Sequence, residues 1–447
     1  MLPAEVCGLT DTLKTNLGGL ASAPRELWLA YTLKLLESYG YFSMSIILVL
    51  YLTNEFGMTD VEAGAVYGLH GMVTSGVGLL LGFVIDNLGV RGSLLAGFGI
   101  ITVSRFILSV TTRPWVLKAV LYALLPVGSS LGIPVLSMGI KRYTTPARRG
   151  FAFGLFYTVM NVAALVSGLL VDCLEFQFRS GCTILGTRYS ARRLILLTGT
   201  ATSAVGLVIS FFFREIKVDE GYEKEAEVGA YKVERKSPWN ILREVMCMPS
   251  LWRLLGITVI CVNLKMIFRY LDAMLPTYLV REFGPSVPKG SIYSINPGIV
   301  IALVPMVSAF TSGVPPFTML HTGSYISGVS ALPLALSTSI SAAVAFVVIL
   351  SIGESIWSPR FYDLTVSMAP EGKEGTFIAL GSAPLFAAKF PVGLLSGYLL
   401  ETFCPKEGPR NAQAMWLIVL VMTMVSPVLL TAFRSRLVPS DAEQKEV

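Results

Sequence analysis

The sequence predicts an all-α membrane protein with twelve transmembrane helices arranged as two six-helix bundles. Three observations carry that expectation. Of 447 residues, 53% are hydrophobic and 14% are charged, with a mean hydropathy of +0.66, and so little polar surface cannot cover a water-soluble globule. Apolar stretches long enough to cross a hydrocarbon core of about 30 Å recur along the whole chain. The charged residues gather between those stretches, most densely in one central segment.

Taken in order, the predicted helices span 28–53, 61–85, 92–111, 114–140, 151–172 and 193–213, then 251–280, 291–312, 317–337, 340–368, 375–402 and 412–433. Residues 1–27 form a cytoplasmic N-terminal segment without the basic start and compact apolar core of a secretory signal, so predicted helix 1 acts as its own insertion signal. Residues 28–213 form one bundle and 251–433 the other. Between them, 214–250 contains REIKVDEGYEKEAEVGAYKVERKSPWN, rich in both charge signs and poor in apolar clusters, which reads as a solvated cytoplasmic linker. Residues 434–447 form a cytoplasmic tail. Lys141, Arg142, Arg148 and Arg149 crowd the loop between predicted helices 4 and 5, and with the lysines and arginines of the linker they place both termini in the cytoplasm. The loop CLEFQFRSGCTILGTRYSARR dissents, carrying several arginines on the outer side. Nothing in the sequence distinguishes plasma membrane from organelle. Pro134, Pro297, Pro305 and Pro359 fall inside predicted helices, where each frees a backbone carbonyl and favours a bend.

The formal charge of +6 does not point to nucleic acid, because the basic residues lie in loops and form no stripe interleaved with aromatics. Six cysteines and two histidines show no metal-ligand spacing, so neither a metal nor another cofactor is expected. Cys173 and Cys182 share one loop. They either close a disulfide in an oxidising compartment or remain two reduced thiols. No nucleophile with a base and no phosphate-binding glycine loop stands out, which argues against an enzyme.

GFVIDNLGVRG, from Gly82 to Gly92, sets Asp86 and Arg91 among glycines that include Gly82 and Gly89. An acid ending one helix and a base opening the next can lock helices at the membrane face, while glycine lets backbones approach. That suits a gate, although a charged turn that merely stops two helices at the lipid boundary has the same composition. The turn resembles the signature loop between helices 2 and 3 of the major facilitator superfamily.

A charge in the hydrocarbon costs at least about 2.5–3.5 kcal/mol, so each one must face a partner or a watery cavity. Lys34, Glu37, Tyr41 and Ser45 recur at helical spacing on predicted helix 1. Lys34 and Glu37 either form a self-neutralised pair, or Glu37 serves a proton or the substrate. Lys265, Arg269 and Asp272 form a second stripe, in which Arg269 can pair with Asp272 and leave Lys265 for substrate or coupling. Glu354 in GESIWSP is the main candidate for a carboxylate that binds substrate or exchanges a proton; its counter-ion is either Lys389 or Lys265. Arg105 and His70 read as packing or interface residues.

Several stretches together resemble the proton-coupled oligopeptide transporter family within that superfamily. KLLESYGYFSMSIILVLYL aligns with the family's ExxERFxYYG run, placing Glu37 on its second acid and Tyr41 on its first tyrosine. FYTVMNVAA meets FYxxINxG at Phe156, Tyr157 and Asn161, INPGIVIALVP resembles the NPxxI run, and GESIWSP matches GExxxSP. The departures are as informative. Lys34 and Ser38 replace the first glutamate and the arginine of helix 1, and Ile133 stands where the family has a lysine before the helix 4 proline, so the usual peptide clamp is incomplete.

The resemblance implies a proton-coupled secondary transporter working by alternating access, which moves a small anionic or zwitterionic solute such as an amino acid or short peptide. Its cavity would be lined by Glu37, Tyr41, Asn161, Lys265 and Glu354. An uncoupled facilitator, an anion exchanger or a non-transporting receptor-like relative are the alternatives. The expected partners are the solute, protons and the bilayer, and the expected state is a monomer.

Overall fold

The computed structural model describes residues 23–144, 146–184, 186–214, 243–311, 314–368, 381 and 383–437. The first half contains α1 (Arg25–Glu55), α2 (Asp60–Leu80), α3 (Gly82–Val110), α4 (Pro114–Ala119, Val120–Leu124 and Leu125–Tyr143), α5 (Pro146–Gln177), a hairpin of β1 (Cys182–Ile184) and β2 (Thr187–Tyr189), and α6 (Ala191–Phe211). The second contains α7 (Pro249–Ile260, Val262–Ala273 and Leu275–Phe283), α8 (Lys289–Phe310), α9 (Pro316–Gly328, Val329–Ala331 and Leu332–Leu336), α10 (Ile340–Ser367), α11 (Lys389–Phe403), α12 (Ala412–Ala432) and a short α13 (Arg434–Leu437). Among the described residues nine helices are long and apolar enough to cross a membrane, and ten if the first two pieces of α7 count as one span. The remaining two predicted spans are α2, which opens on Asp60 and Glu62, and α9, which is built of short pieces.

Local chemistry explains the interruptions. In α4 the segment Val120–Leu124 is a π-turn; Pro126, just beyond it, has no N–H to continue the α-helical ladder. Predicted helix 7 is not the single rod expected over 251–280. Its first two pieces meet at 41°. There Ser426 of α12 enters the backbone ladder, donating its hydroxyl to the Ile260 carbonyl at 2.6 Å and accepting the Leu264 N–H at 3.2 Å, a known cause of helix kinks. The second break, at Met274, precedes Pro276, which cannot donate to the Asp272 carbonyl. By contrast Pro297, Pro305, Pro359 and Pro427 are accommodated within α8, α10 and α12.

Two further expectations meet the structure in this half of the chain. The loop after α5 is a hairpin, with Cys182 opposite Tyr189 and Ile184 opposite Thr187. Cys173 and Cys182 are both free thiols: Cys173 is carried on the exposed surface of α5, while strand pairing holds Cys182 in β1, so the possible disulfide is absent. In the glycine-rich turn, Gly89 has φ 69° and interrupts α3, a conformation that a Cβ disfavours by roughly 1–2 kcal/mol. Arg91 beyond it donates to the carbonyl of Phe211, the last residue of α6, at 3.1 Å; a cation at a helix C-terminus satisfies orphan carbonyls and the dipole together. The expected gate positions Gly82 and Asp86 lie outside the described side chains, as does most of the linker 214–250.

Contacts divide the chain into two compact units. The first comprises the described residues within Met1–Phe42, Thr74–Ala164 and Arg193–Lys232. Its core joins Leu27 and Leu33 of α1, Leu94 and Phe98 of α3, Val135 and Leu136 of α4, and Phe213. The second comprises those within Ser43–Val73, Leu165–Arg192 and Val233–Val447. Its core joins Ile257 and Leu264 of α7, Phe317 and Leu320 of α9, Trp357 and Phe361 of α10, and Leu430 of α12.

The second unit therefore takes in parts of α1, α2 and α5, and these are fastened to α7, α8 and α11. Asp60 receives two bonds from Arg281, at 2.9 and 2.6 Å, while Arg281 also donates to the Cys404 carbonyl. Asp172 of α5 accepts the N–H groups of Gly290 and Ser291 and the Ser291 hydroxyl at 2.6–2.8 Å, capping the start of α8. Buried Lys289 pairs with Glu175, which also faces Arg192 at 3.8 Å. Between these polar ties the backbones touch: a Cβ on Gly64 would stand 2.1 Å from the Gly393 carbonyl oxygen, and one on Gly168 would stand 2.3 Å from that of Gly290.

Breaking a buried ion pair by removing one partner costs about 3–5 kcal/mol. Asp60→Ala is expected to lose about that much, and Asp60→Ala with Arg281→Ala much less than the sum of the two, because the first change already strands its partner. Denaturation of the purified variants measures both quantities.

Candidate functional site

The first unit contains one buried charge cluster. Lys34 and Glu37, one turn apart on α1, face each other at 3.8 Å, and both are buried. The Lys34 ammonium also lies 5.1 Å from the centre of the Phe156 ring of α5. Arg105 reaches the same place from α3. It is 2% exposed, donates through Nη2 to the Glu37 backbone carbonyl at 3.3 Å and through Nη1 to Ser203 Oγ of α6 at 2.5 Å. Its guanidinium rests on Gly40, where a Cβ would come within 2.1 Å of Nη1. Tyr39 ties α1 to α6 through Thr198 at 2.7 Å. Glu37 Oε1 is buried without a hydrogen-bond partner among the described residues.

Two other residues singled out from the sequence belong to this unit. Tyr41 is half-buried and packs edge-on against Phe42. The Asn161 amide donates to the Tyr157 carbonyl within α5 at 2.9 Å.

The second unit gathers polar groups from six helices. Asp272 of α7 accepts from Arg269 at 3.4 Å and from the Tyr67 hydroxyl of α2 at 3.2 Å, and Tyr67 lies 3.3 Å from Ser45 of α1. The stripe on α7 thus pairs as its spacing predicts. On α10, Glu354 Oε2 accepts from the Asn296 amide of α8 at 2.9 Å, and the same nitrogen reaches Ser351 at 3.0 Å. Lys265 stands 4.7 Å from the Trp357 ring centre and 4.9 Å from that of Phe361. Its charge and that of Glu354 act on one another. Of the two lysines open as counter-ions for Glu354, Lys265 is the one whose charge acts on it. Lys389 instead lies over Phe386 at 5.4 Å and donates to the Gly71 carbonyl at 3.5 Å.

The sequence alone assigns no role to Asn296, Tyr67 or Trp357 and reads Arg105 as a packing or interface residue. Signals were present: an asparagine inside INPG at membrane depth, a tryptophan inside GESIWSP, and a glycine at position 40 where an arginine could cross.

A profile of the Major Facilitator Superfamily matches residues 30–383. The chain belongs to this superfamily. It is 26% identical over 166 residues to dipeptide and tripeptide permease B of Photorhabdus asymbiotica, a match covering 36% of this chain and 33% of the permease. It is 27% identical over 149 residues to multidrug resistance protein MdtH of Cronobacter sakazakii, covering 32% and 36%. The chain thus aligns with about a third of the length of these relatives. Against MdtH of Edwardsiella ictaluri the match is 20% over 362 residues, or 78% of this chain and 82% of that one. Among solved structures, a POT family transporter in complex with 5-aminolevulinic acid superposes with a TM-score of 0.73 at 15% identity, covering 93% of this chain and 97% of that one. The peptide transporter POT in complex with sulfate gives 0.71 at 16%, covering 93% and 95%. At these identities the likeness establishes the fold, the superfamily's all-helical membrane architecture.

Within that fold Arg105 depends on the bare backbone at Gly40. Gly40→Ala should displace the guanidinium and cost about as much as Arg105→Ala, roughly 2–3 kcal/mol for a buried charge-assisted bond and its stranded partner. Combining them should add little further, which a double-mutant cycle on thermal unfolding resolves.

Proposed function

We propose that this protein is a secondary transporter that moves a small polar organic solute, an amino acid or short peptide of anionic or zwitterionic character, by alternating access driven by protons. The observation that carries the reading is the half-buried carboxylate of Glu354, hydrogen-bonded to Asn296 and acted on by Lys265, in a chain of the Major Facilitator Superfamily. A carboxylate inside an apolar protein is held charged by donors and cations and becomes neutral when they withdraw. A helix movement that changes its neighbours therefore changes its hold on a proton, which is the coupling a symporter needs. Names of relatives support the solute class, since two of the similar proteins are a dipeptide and tripeptide permease and a peptide transporter.

Lys265 and Glu354 provide the polar contacts to solute in the second unit, and Tyr41 and Asn161 in the first. Glu37, flanked by Lys34 and Arg105, is the second proton-responsive acid. The ties of Asp60, Asp172 and Glu175 to α7 and α8 act as one gate, and the turn bearing Gly82, Asp86, Gly89 and Arg91 acts as another. The bundles 28–213 and 251–433 rock about the linker 214–250, both termini are cytoplasmic, and the protein works as a monomer.

Purified protein in liposomes tests the proposal. Uptake of labelled dipeptides or amino acids should rise when the outside is made acid. Glu354→Gln should abolish accumulation against the gradient while leaving exchange down a solute gradient measurable, and Glu37→Gln should weaken the pH response. Uptake that ignores the proton gradient and survives both substitutions identifies an uncoupled facilitator instead.

A further inference from the structure

An ammonium held between two aromatic faces with a carboxylate nearby is how proteins recognise an amine. The second unit contains such a cage, whose rings are Trp357 and Phe361 of α10 with Glu354 one turn before Trp357 on the same helix, and its occupant is the chain's own Lys265, at 4.7 and 4.9 Å from the two ring centres.

The cage is built rigidly. Trp357 is 1% exposed, and its indole N–H donates to Ser327 Oγ of α9 at 3.1 Å. Gly323 of α9 passes so near that a Cβ there would lie 2.8 Å from Trp357 Cβ, and Phe268 packs against the indole at 6.0 Å between ring centres. The carboxylate is aimed by Asn296 at 2.9 Å. Walls fixed in advance bind without further ordering cost, so this is a formed site for a cation.

We propose that Lys265 is a tethered amine that fills this cage and thereby sets the solute class: acids without a free ammonium group, such as N-acylated amino acids and peptides, are preferred over free amino acids and peptides. The inference rests on the transporter reading and deepens it. A solute ammonium can enter the cage only by expelling Lys265, which would then need a new partner in an apolar interior. A solute carboxylate meets no such conflict, because it can accept a bond from the ammonium while the rings keep their hold.

Binding to the purified full-length protein tests this without any gradient. The probes are alanyl-alanine and N-acetyl-alanyl-alanine, titrated by calorimetry against the parent protein, Lys265→Met and Lys265→Arg. The parent should bind the acetylated probe at least as well as the free dipeptide. Lys265→Met, which keeps the length and removes the charge, should shift the preference toward the free dipeptide by about tenfold or more, the scale of one cation–π contact in a dry site. Lys265→Arg keeps the cation on the rings and should retain the parent's order.

A parent that prefers the free dipeptide overturns the proposal, as does a folded Lys265→Met protein that gains nothing for the free amine. Should Lys265→Met not fold, the parent and Lys265→Arg still decide, since both must favour the acetylated probe. The expected order in the parent and its shift in Lys265→Met, found together with uptake indifferent to protons, would leave the cage standing and remove only the coupled-transport reading.

Discussion

Charge cannot be left alone in a medium that does not solvate it, and each polar cluster described above is an answer to that constraint. Arg105 enters the first unit only because Glu37 offers it a carbonyl, Ser203 a hydroxyl and Gly40 the space. Asp272 is held by Arg269 and Tyr67, and Lys265 by two rings and Glu354. The partners come from different helices, so satisfying one charge fixes the rotation of two or three helices at once. Packing of apolar side chains gives these units their bulk, while the pairings decide which face of each helix turns inward.

The same constraint links structure to the proposed work. A group whose charge is tolerated only through its neighbours responds when those neighbours move. Glu354 has one amide and one lysine as its described supports, few enough that a modest displacement of α7 or α8 would alter its state. Asp172, with three donors from the start of α8, is far better supported.

What was legible in the sequence was whatever depends on one helix at a time. Hydropathy marked the spans, and three-residue spacing paired Lys34 with Glu37 and Arg269 with Asp272, because an isolated helix already places those side chains on one face. Contacts between helices were not legible, since periodicity sets a face but no register against a neighbour. Hence Arg105 reads as a packing or interface residue, and Glu354 has two possible lysines in the sequence. The breaks in α7 were half legible: Pro276 was visible in the sequence, whereas Ser426 acts from another helix. The family motifs lie on α1, α5, α8 and α10, and beside the departures at Lys34 and Ser38 an arginine reaches the Glu37 carbonyl from α3.

The seam where α2 meets α11 and α5 meets α8 is made of bare backbone and ionic ties, with glycine facing glycine at Gly64 and Gly393 and at Gly168 and Gly290. Two surfaces interlocked by leucine or phenylalanine would have to wet a large oily area whenever they parted, at about 25 cal/mol for each square ångström. Peptide groups and carboxylates are instead welcomed by the water that enters between them. The join can therefore be tight when shut and still release without a hydrophobic toll, like a zip whose teeth leave no grease on the cloth.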